Sequence, residues 1–394
     1  MGLGHIKRDL AIARELLTVN PGLEISWLAS SPASLVIKEA GETLLPEAEN
    51  YADETSAAEN AAKGYRLEIL KYLSNARESW TTNVRIFERV TSKGHYDIVI
   101  GDETYDLSVA QQKRPELNKK PFVMLYDFIG IDSLSINPLD RFSAYMWNRI
   151  WVEGNRKLLS GGRNLALFIG EPEDVPDKKF GFMLPNRRLH AQKYYTFLGY
   201  VLGFDPKEYS NRSIIREKLG YGEEPFVVCS VGGTSVGKDL LELCGQSYQM
   251  AKAKIPGLRM LLVCGPRISP GSLKVPPGVE IKQFIPELYE YFAACDLAIV
   301  QGGGTSTLEL TALMRPFLYF PLEGHFEQEI SVASRLARHR AGQRMRFSQT
   351  TPEKLAEKII GAIGKAVDYE PIHTDGARKA AQLITALDLK ENGR

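Results

Sequence analysis

Short apolar runs alternate with longer helical patterns along the whole 394-residue chain. Strands and helices in that alternation fold as parallel sheets whose crossover helices cover both faces. In the first half, the runs at 24–29, 97–101, 122–126, 165–169 and 195–198 read as strands. In the second half the strands fall at 226–230, 260–264, 280–282, 297–300 and 317–320. The stretch 56–92 has few turn signals after Gly64 and reads as one or two helices. The predicted fold is α/β: two doubly wound Rossmann-like domains facing a cleft. The first domain is expected over 1–203, the second over 204–370, and a helical tail over 371–394. Sheets of this kind bind ligands beyond the carboxyl ends of their strands.

Composition removes several functions. The formal net charge is +1, so no global field points to a nucleic-acid partner. No apolar run nears the roughly 18 residues that cross a bilayer. Cys229, Cys244, Cys264 and Cys295 lack C-x-x-C spacing, which argues against zinc and against a redox pair. They read as reduced core residues of a cytoplasmic protein.

Three segments after second-domain strands carry ligand chemistry. In Gln301-Gly302-Gly303-Gly304-Thr305-Ser306, three glycines let the backbone approach a ligand and a helix begins where phosphate is favoured. Glu309, about a turn into that helix, is suited to ribose hydroxyls; the plainer alternative is a tight connection whose hydroxyls cap the helix. The second segment, Gly232-Gly233-Thr234, also joins a strand to a helix. It is not a Walker loop, because Asp239 stands where Ser or Thr should hold magnesium. Two anion-cradling turns in one domain suit a diphosphate. The third segment runs through His325, Glu327 and Gln328, whose acceptors and donors suit a sugar's hydroxyls. His325 reads either as a phosphate contact or as a helix cap.

The chain opens on Gly2-Leu3-Gly4-His5 before a helix. A helix start disfavours the imidazolium, so His5 is expected to be a neutral base near neutral pH. Asp102, ending a strand, is expected either to orient His5 or to cap a helix. No D-x-D triplet occurs, so a diphosphate would be neutralised by backbone N–H groups and helix ends, with no metal and no cofactor expected.

Together these segments resemble the GT-B glycosyltransferases. The likeness is to the peptidoglycan N-acetylglucosaminyltransferases and the UDP-dependent transferases of lipids and small aglycones. It rests on Gly2, Gly4 and His5, on Gly232, Gly233 and Thr234, on Gly302 to Glu309, and on Glu327 with Gln328. The resemblance implies an inverting, metal-independent transfer from a nucleotide-sugar donor, with UDP the expected nucleotide. His5 would be the base and Asp102 its partner. Glu309 would bind ribose and Ile285, within Gln283–Pro286, would flank the nucleobase. The chain departs from the pattern at Gln301, where many members have His or Ser, and at Ser331. A non-hydrolysing nucleotide-sugar 2-epimerase shares this architecture, and a non-catalytic nucleotide-sugar-binding subunit would share the donor site.

Two further expectations concern the first domain. The segment 138–159 interleaves Phe142, Tyr145, Met146, Trp147, Ile150 and Trp151 with Arg141, Arg149, Arg156 and Lys157. It reads as a core-packing helix or as an amphipathic contact with a lipid-linked acceptor or the inner membrane face. The Gly-rich turn at residue 2 should also follow a central first strand. Without one, the runs at 24–29 and 97–101 should leave a gap of roughly 9–10 Å, two strand spacings. The expectation is a strand upstream of Met1, the alternative that another segment fills the slot.

Overall fold

The computed structural model describes residues 3–52, 69–134, 136–233 and 235–391. Part of the helical stretch 56–92 therefore lies outside the described residues, as do Gly2 and Thr234.

The first domain runs α1 (Leu3–Val19), β1 (Ser26–Trp27), α2 (Ala33–Glu39), β2 (Thr43–Leu44), α3 (Ile69–Lys93) and β3 (Val99–Asp102). It continues with α4 (Tyr105–Lys113), β4 (Phe122–Tyr126), α5 (Pro138–Leu159), β5 (Leu165–Phe168), α6 (Arg187–Tyr194) and β6 (Thr196–Phe197). All five residues of β4 are buried, which is why it reads as an unbroken apolar run and not as alternation. Helix α5 starts where Asn137 accepts a hydrogen bond from Leu139 N and Pro138 takes the first turn, the arrangement that stabilises a helix start.

The second domain contains α7 (Arg212–Leu219), β7 (Phe226–Ser230), α8 (Lys238–Lys252), β8 (Arg259–Val263), β9 (Glu280–Lys282) and α9 (Leu288–Ala294). Then come β10 (Leu297–Gln301), α10 (Gly304–Ala312), β11 (Phe317–Phe320), α11 (Ala333–Arg338), β12 (Gln343–Arg344) and α12 (Pro352–Ala362). Its sheet is wholly parallel in the order β12-β11-β10-β7-β8-β9. The order of strand addition reverses between the parallel strands β7 and β10, so the two Gly-rich turns that follow them lie side by side at the switch point. Alternate residues of β7 enter two cores: Val227 and Cys229 face one, Phe226 and Val228 the other. All four cysteines are buried and unpaired.

The tail is α13 (Gly376–Glu391). It was expected as a separate element, but Ala377, Ala380, Ala381, Ile384 and Leu387 join Ala11, Ile12 and Leu16 of α1 in the first-domain core. The chain therefore crosses between domains twice, and the crossings run together: Tyr200 N donates to His373 O and Gly376 N to Tyr200 O.

The first-domain sheet comes in two pieces, β1-β2 and β3-β4-β5-β6. β3 pairs only with β4, and β1 only with β2. Among the described residues no strand bridges them, and Ile100 of β3 is left exposed. Among the described residues the first-domain sheet is thus discontinuous between β1 and β3.

One glycine outside the expected motifs shapes the donor side. Gly265, just beyond β8, has φ +77, and a Cβ there would collide with the carbonyl oxygen of Gly232. Gly265→Ala is predicted to cost about 1–3 kcal/mol, the usual range for a non-glycine residue forced left-handed. Urea unfolding should show a lower midpoint at unchanged slope, and an unshifted midpoint would refute the reading.

Candidate active site

A cleft of about 560 Å³ opens between the domains, lined from both sides. Of the residues expected there, Gly4, His5, Asp102, Gly232, Gly233, Ile285, Gly303, Gly304, Thr305, Ser306, Glu309, His325, Glu327 and Gln328 all line it. Gly302 does not. Its Cα lies where a side chain would press on the Pro321 backbone, at 2.8 Å from Cα, so it permits close packing of two strand ends.

On the donor side, Gly232 has φ +76 and open space where a side chain would stand. Gly303 precedes α10 in an extended conformation and also has nothing within 4 Å of a Cβ position. The first-turn N–H groups of α10, at Gly304, Thr305 and Ser306, thus open to the cleft with the positive end of the helix behind them. Glu309 is buried, and burial pushes its carboxyl up to about 7 against the pull of Lys7. Gln328 uses Oε1 to accept from Leu322 N at 2.8 Å, which leaves its amide donors for a ligand. His325 Nδ1 lies 3.5 Å from Gln328 N, the helix-capping position. Phe284, Ile285 and Leu288 form an apolar slot beside the glycine turns.

On the acceptor side, His5 sits in the first turn of α1. Its Nδ1–H donates to Asp102 Oδ2 at 2.9 Å, which leaves Nε2 facing the cleft. Arg8, one turn on, bonds Asp102 Oδ1 and Asp127 Oδ1. Asp127 Oδ2 is 4.0 Å from His5 Nε2. Glu103, at φ +50, accepts from Asp127 N at 3.3 Å and from Tyr105 OH at 3.2 Å. Burial and the Asp127 carboxylate push Glu103 up to about 8. Farther out, Tyr105, Tyr126, Phe128 and Trp151 stack into one aromatic wall, with ring centroids 5.1–6.1 Å apart. Trp147 meets Trp80 edge-on at 5.5 Å, and the buried Trp80 Nε1 has no hydrogen-bond partner.

The expected neutral His5 is corrected by this arrangement. Burial and Arg8 do lower its pKa, but Asp102, with help from Glu103, outweighs both and raises it to about 9. The helix-end effect is worth typically under a kcal/mol, less than a buried carboxylate in hydrogen-bond contact. Burial alone would raise Asp102, yet Arg8 and His5 hold it well below the usual carboxylate range. Arg8, Asp127 and Glu103 were missed from sequence. Asp127 follows β4 as Asp102 ends β3, so the rule that ligands gather at carboxyl strand ends would have found it.

The two half-sites are in direct contact. A Cβ on Gly4 would strike Thr305, so only glycine lets α1 abut the α10 turn, and Lys7 Nζ donates to Pro286 O.

The comparisons with known proteins agree with this geometry. The glycosyltransferase family 28 C-terminal domain matches residues 227–384. A protein of Methanosarcina acetivorans named an uncharacterized glycosyltransferase is 31% identical over 379 residues, covering 91% of this chain and 86% of its own. The chain belongs to the glycosyltransferases. A further relative of this glycosyltransferase is the UDP-N-acetylglucosamine--N-acetylmuramyl-(pentapeptide) pyrophosphoryl-undecaprenol N-acetylglucosamine transferase of Mycobacterium avium. It is 26% identical over 196 residues, 46% of this chain and 47% of that one. Among solved structures, the glycotransferase of kitacinnamycin superposes with a TM-score of 0.60 at 15% identity, covering 98% and 96% of the two chains. The glycosyltransferase thus has the GT-B fold that its sequence resembled.

The raised His5 pKa makes a testable statement. Its stabilising contacts are fully present below pH 6.5, the ordinary value, and are lost as pH rises through about 9. In Asp102→Asn, burial and Arg8 should dominate and bring the His5 pKa below 6.5. Imidazole NMR titration of both proteins reads this directly, and a value still near 9 in the variant would assign the shift to another group.

Proposed function

We propose that this glycosyltransferase moves a sugar from a UDP-sugar to a hydroxyl of an acceptor with an apolar body, with inversion and without a metal ion. The observation that carries the reading is that the His5–Asp102 pair and the open N-terminus of α10 face one cleft from opposite domains. In this scheme the diphosphate lies against Gly232, Gly233 and the N–H groups of Gly304 to Ser306, where the helix end neutralises charge as it develops. Glu309 takes the ribose hydroxyls, and the slot at Ile285 takes the base. Glu327 and the free amide of Gln328 take the sugar's hydroxyls. UDP is favoured by the name of the Mycobacterium avium relative.

His5 Nε2 then removes the proton from the acceptor hydroxyl as oxygen attacks the anomeric carbon from the face opposite the leaving diphosphate. Asp102 steadies the imidazolium that forms, and Asp127, 4.0 Å from Nε2, adds to its field. The aromatic wall of Tyr105, Tyr126, Phe128 and Trp151 suits an acceptor whose hydroxyl is carried on an apolar frame, small or lipid-linked. That chamber also supports transfer over epimerisation, which needs no second substrate.

Glu309→Ala should weaken nucleotide-sugar binding by about 1–3 kcal/mol, the cost of hydroxyls left unpaired in a buried site. Calorimetry with UDP-sugars checks it, and unchanged affinity would remove Glu309 from the donor site. His5→Ala should lower turnover by roughly two to four orders of magnitude with little change in donor affinity. Wild-type turnover should rise with pH through about 9 as the imidazolium loses its proton. Near-normal turnover by the variant at saturating substrates would give His5 a structural role only.

A further inference from the structure

Trp80, Thr104 and Asp106 line the cleft, and each carries a buried polar atom with no hydrogen-bond partner among the described residues. Thr104 Oγ1 packs against Gly101 so closely that a Cβ there would collide with it. The other two atoms have no such packing role. Asp106, in the first turn of α4, is 3% exposed. Its Oδ1 accepts from Leu107 N at 2.8 Å, so the helix start leaves Oδ2 unused. A buried carboxylate oxygen without a donor is costly, and folded proteins rarely leave one. Burial pushes the Asp106 carboxyl up to about 6, against the pull of Leu107 N–H and the Asn83 side chain, neither of them a cation.

Trp80 Nε1 is the complement of Asp106 Oδ2. Trp80 and Asn83 stand three residues apart on α3, hence on one face of that helix. Asn83 is close enough to Asp106 to act on its carboxyl group. The Trp80 ring meets Trp147 of α5 edge-on at 5.5 Å. Helices α3, α4 and α5 pack on one another and so bring an unused acceptor and an unused donor to one side of the chamber. A carboxylate oxygen takes a donor, and an indole N–H takes an acceptor. A hydroxyl supplies both. An ammonium group would satisfy Asp106 and leave Trp80 unpaired, and an ether would do the reverse.

We infer that Asp106 and Trp80 form a subsite for a second hydroxyl of the acceptor, one that is bound and does not react. The reacting end of the chamber is set by α1 and the ends of β3 and β4, whereas this subsite is set by α3 and α4. One acceptor is thus held at two points, with its apolar frame against Tyr105 and Trp151. The inference rests on the reading that this side of the cleft takes the acceptor, and adds that the acceptor carries at least two hydroxyls. A site that hydrogen-bonds a hydroxyl strongly rejects an analogue that lacks it, because its own buried groups are then left unpaired. Asp106 and Trp80 therefore set acceptor choice.

The test is binding in the absence of donor, read by tryptophan fluorescence and by the indole N–H resonances of the isotope-labelled full chain. Three of the four tryptophans, Trp80, Trp147 and Trp151, line the cleft. The probes are the terminal diols of hexane and octane and para-benzenedimethanol, each against the mono-alcohol of the same frame. Octanol with a terminal amine or a terminal methyl ether varies the second group. At least one diol should bind roughly tenfold more tightly than its mono-alcohol, the worth of one or two buried hydrogen bonds. It should also outbind the amine and the ether, and the Trp80 indole proton, assigned through Trp80→Phe, should move downfield. Trp80→Phe should cut the preference to about threefold or less. Asp106→Asn keeps the Leu107 bond and turns the unused acceptor into a donor, so the ether should then bind as well as the diol. The same variant should unfold at or above the wild-type temperature, because an unpaired buried carboxylate is removed; a merely structural Asp106 would give a lower one. The inference is overturned if no diol outbinds its mono-alcohol, if the amine binds best, or if the diol preference survives in both variants. Those outcomes leave the roles of His5 and Glu309 standing. Loss of those roles with the diol preference intact would remove the transfer reading alone.

Discussion

The first domain depends on one guanidinium. Arg8 lies in the interior with bonds to Asp102 and Asp127, and His5 shares the Asp102 carboxylate with it. Asp102 could not stay ionised in such a place alone, since burial disfavours the charged form. Arginine stays protonated under any condition the protein meets, so it holds Asp102 as a carboxylate. That carboxylate in turn raises the basicity of His5. Helix α1 is thereby pinned to the ends of β3 and β4, with Nε2 of His5 left pointing at the cleft.

The position of α1 also sets the relation between domains. Its first turn meets Thr305 through Gly4, and Lys7 reaches the Pro286 carbonyl. Near the chain crossings, Arg338 bonds Glu171, Asp174 and the Tyr200 hydroxyl. Tyr200 also meets His339 at 3.2 Å. The cleft is therefore bracketed by polar contacts, and apolar contacts join the domains where Phe128 meets Phe326 at 5.0 Å and where Tyr200 and Leu202 pack on Leu308.

Sequence and structure agree best where a signal was local. The strands at 122–126, 226–230 and 317–320 were legible because continuous apolar runs are bounded by turn residues. The two-residue strands β2 and β12 carry no such signal; each exists only because a neighbour offers hydrogen bonds. The tail helix was legible as a helix, but its alanines gave no hint that they would pack on α1. Gly302 stands within a legible motif and yet faces away from the ligand space, because orientation within a turn is set by what packs behind it.

By itself the sequence determined the alternating α/β plan, the parallel sheets, the two glycine turns at the second domain's switch point and the candidate pair His5 and Asp102. Those follow from periodicity and from residues whose backbone freedom or helix-end position constrains a few neighbours. Tertiary structure alone decided the charge of His5 and the inclusion of Asp127 and Arg8. Arg8 and Asp127 are 119 residues apart, and His5 and Asp102 are 97. A local reading of His5 sees only the helix end, which favours the neutral ring. The field that governs it comes from a carboxylate brought to 2.9 Å by folding, and Coulomb energy depends on that distance and on the loss of water, not on separation along the chain.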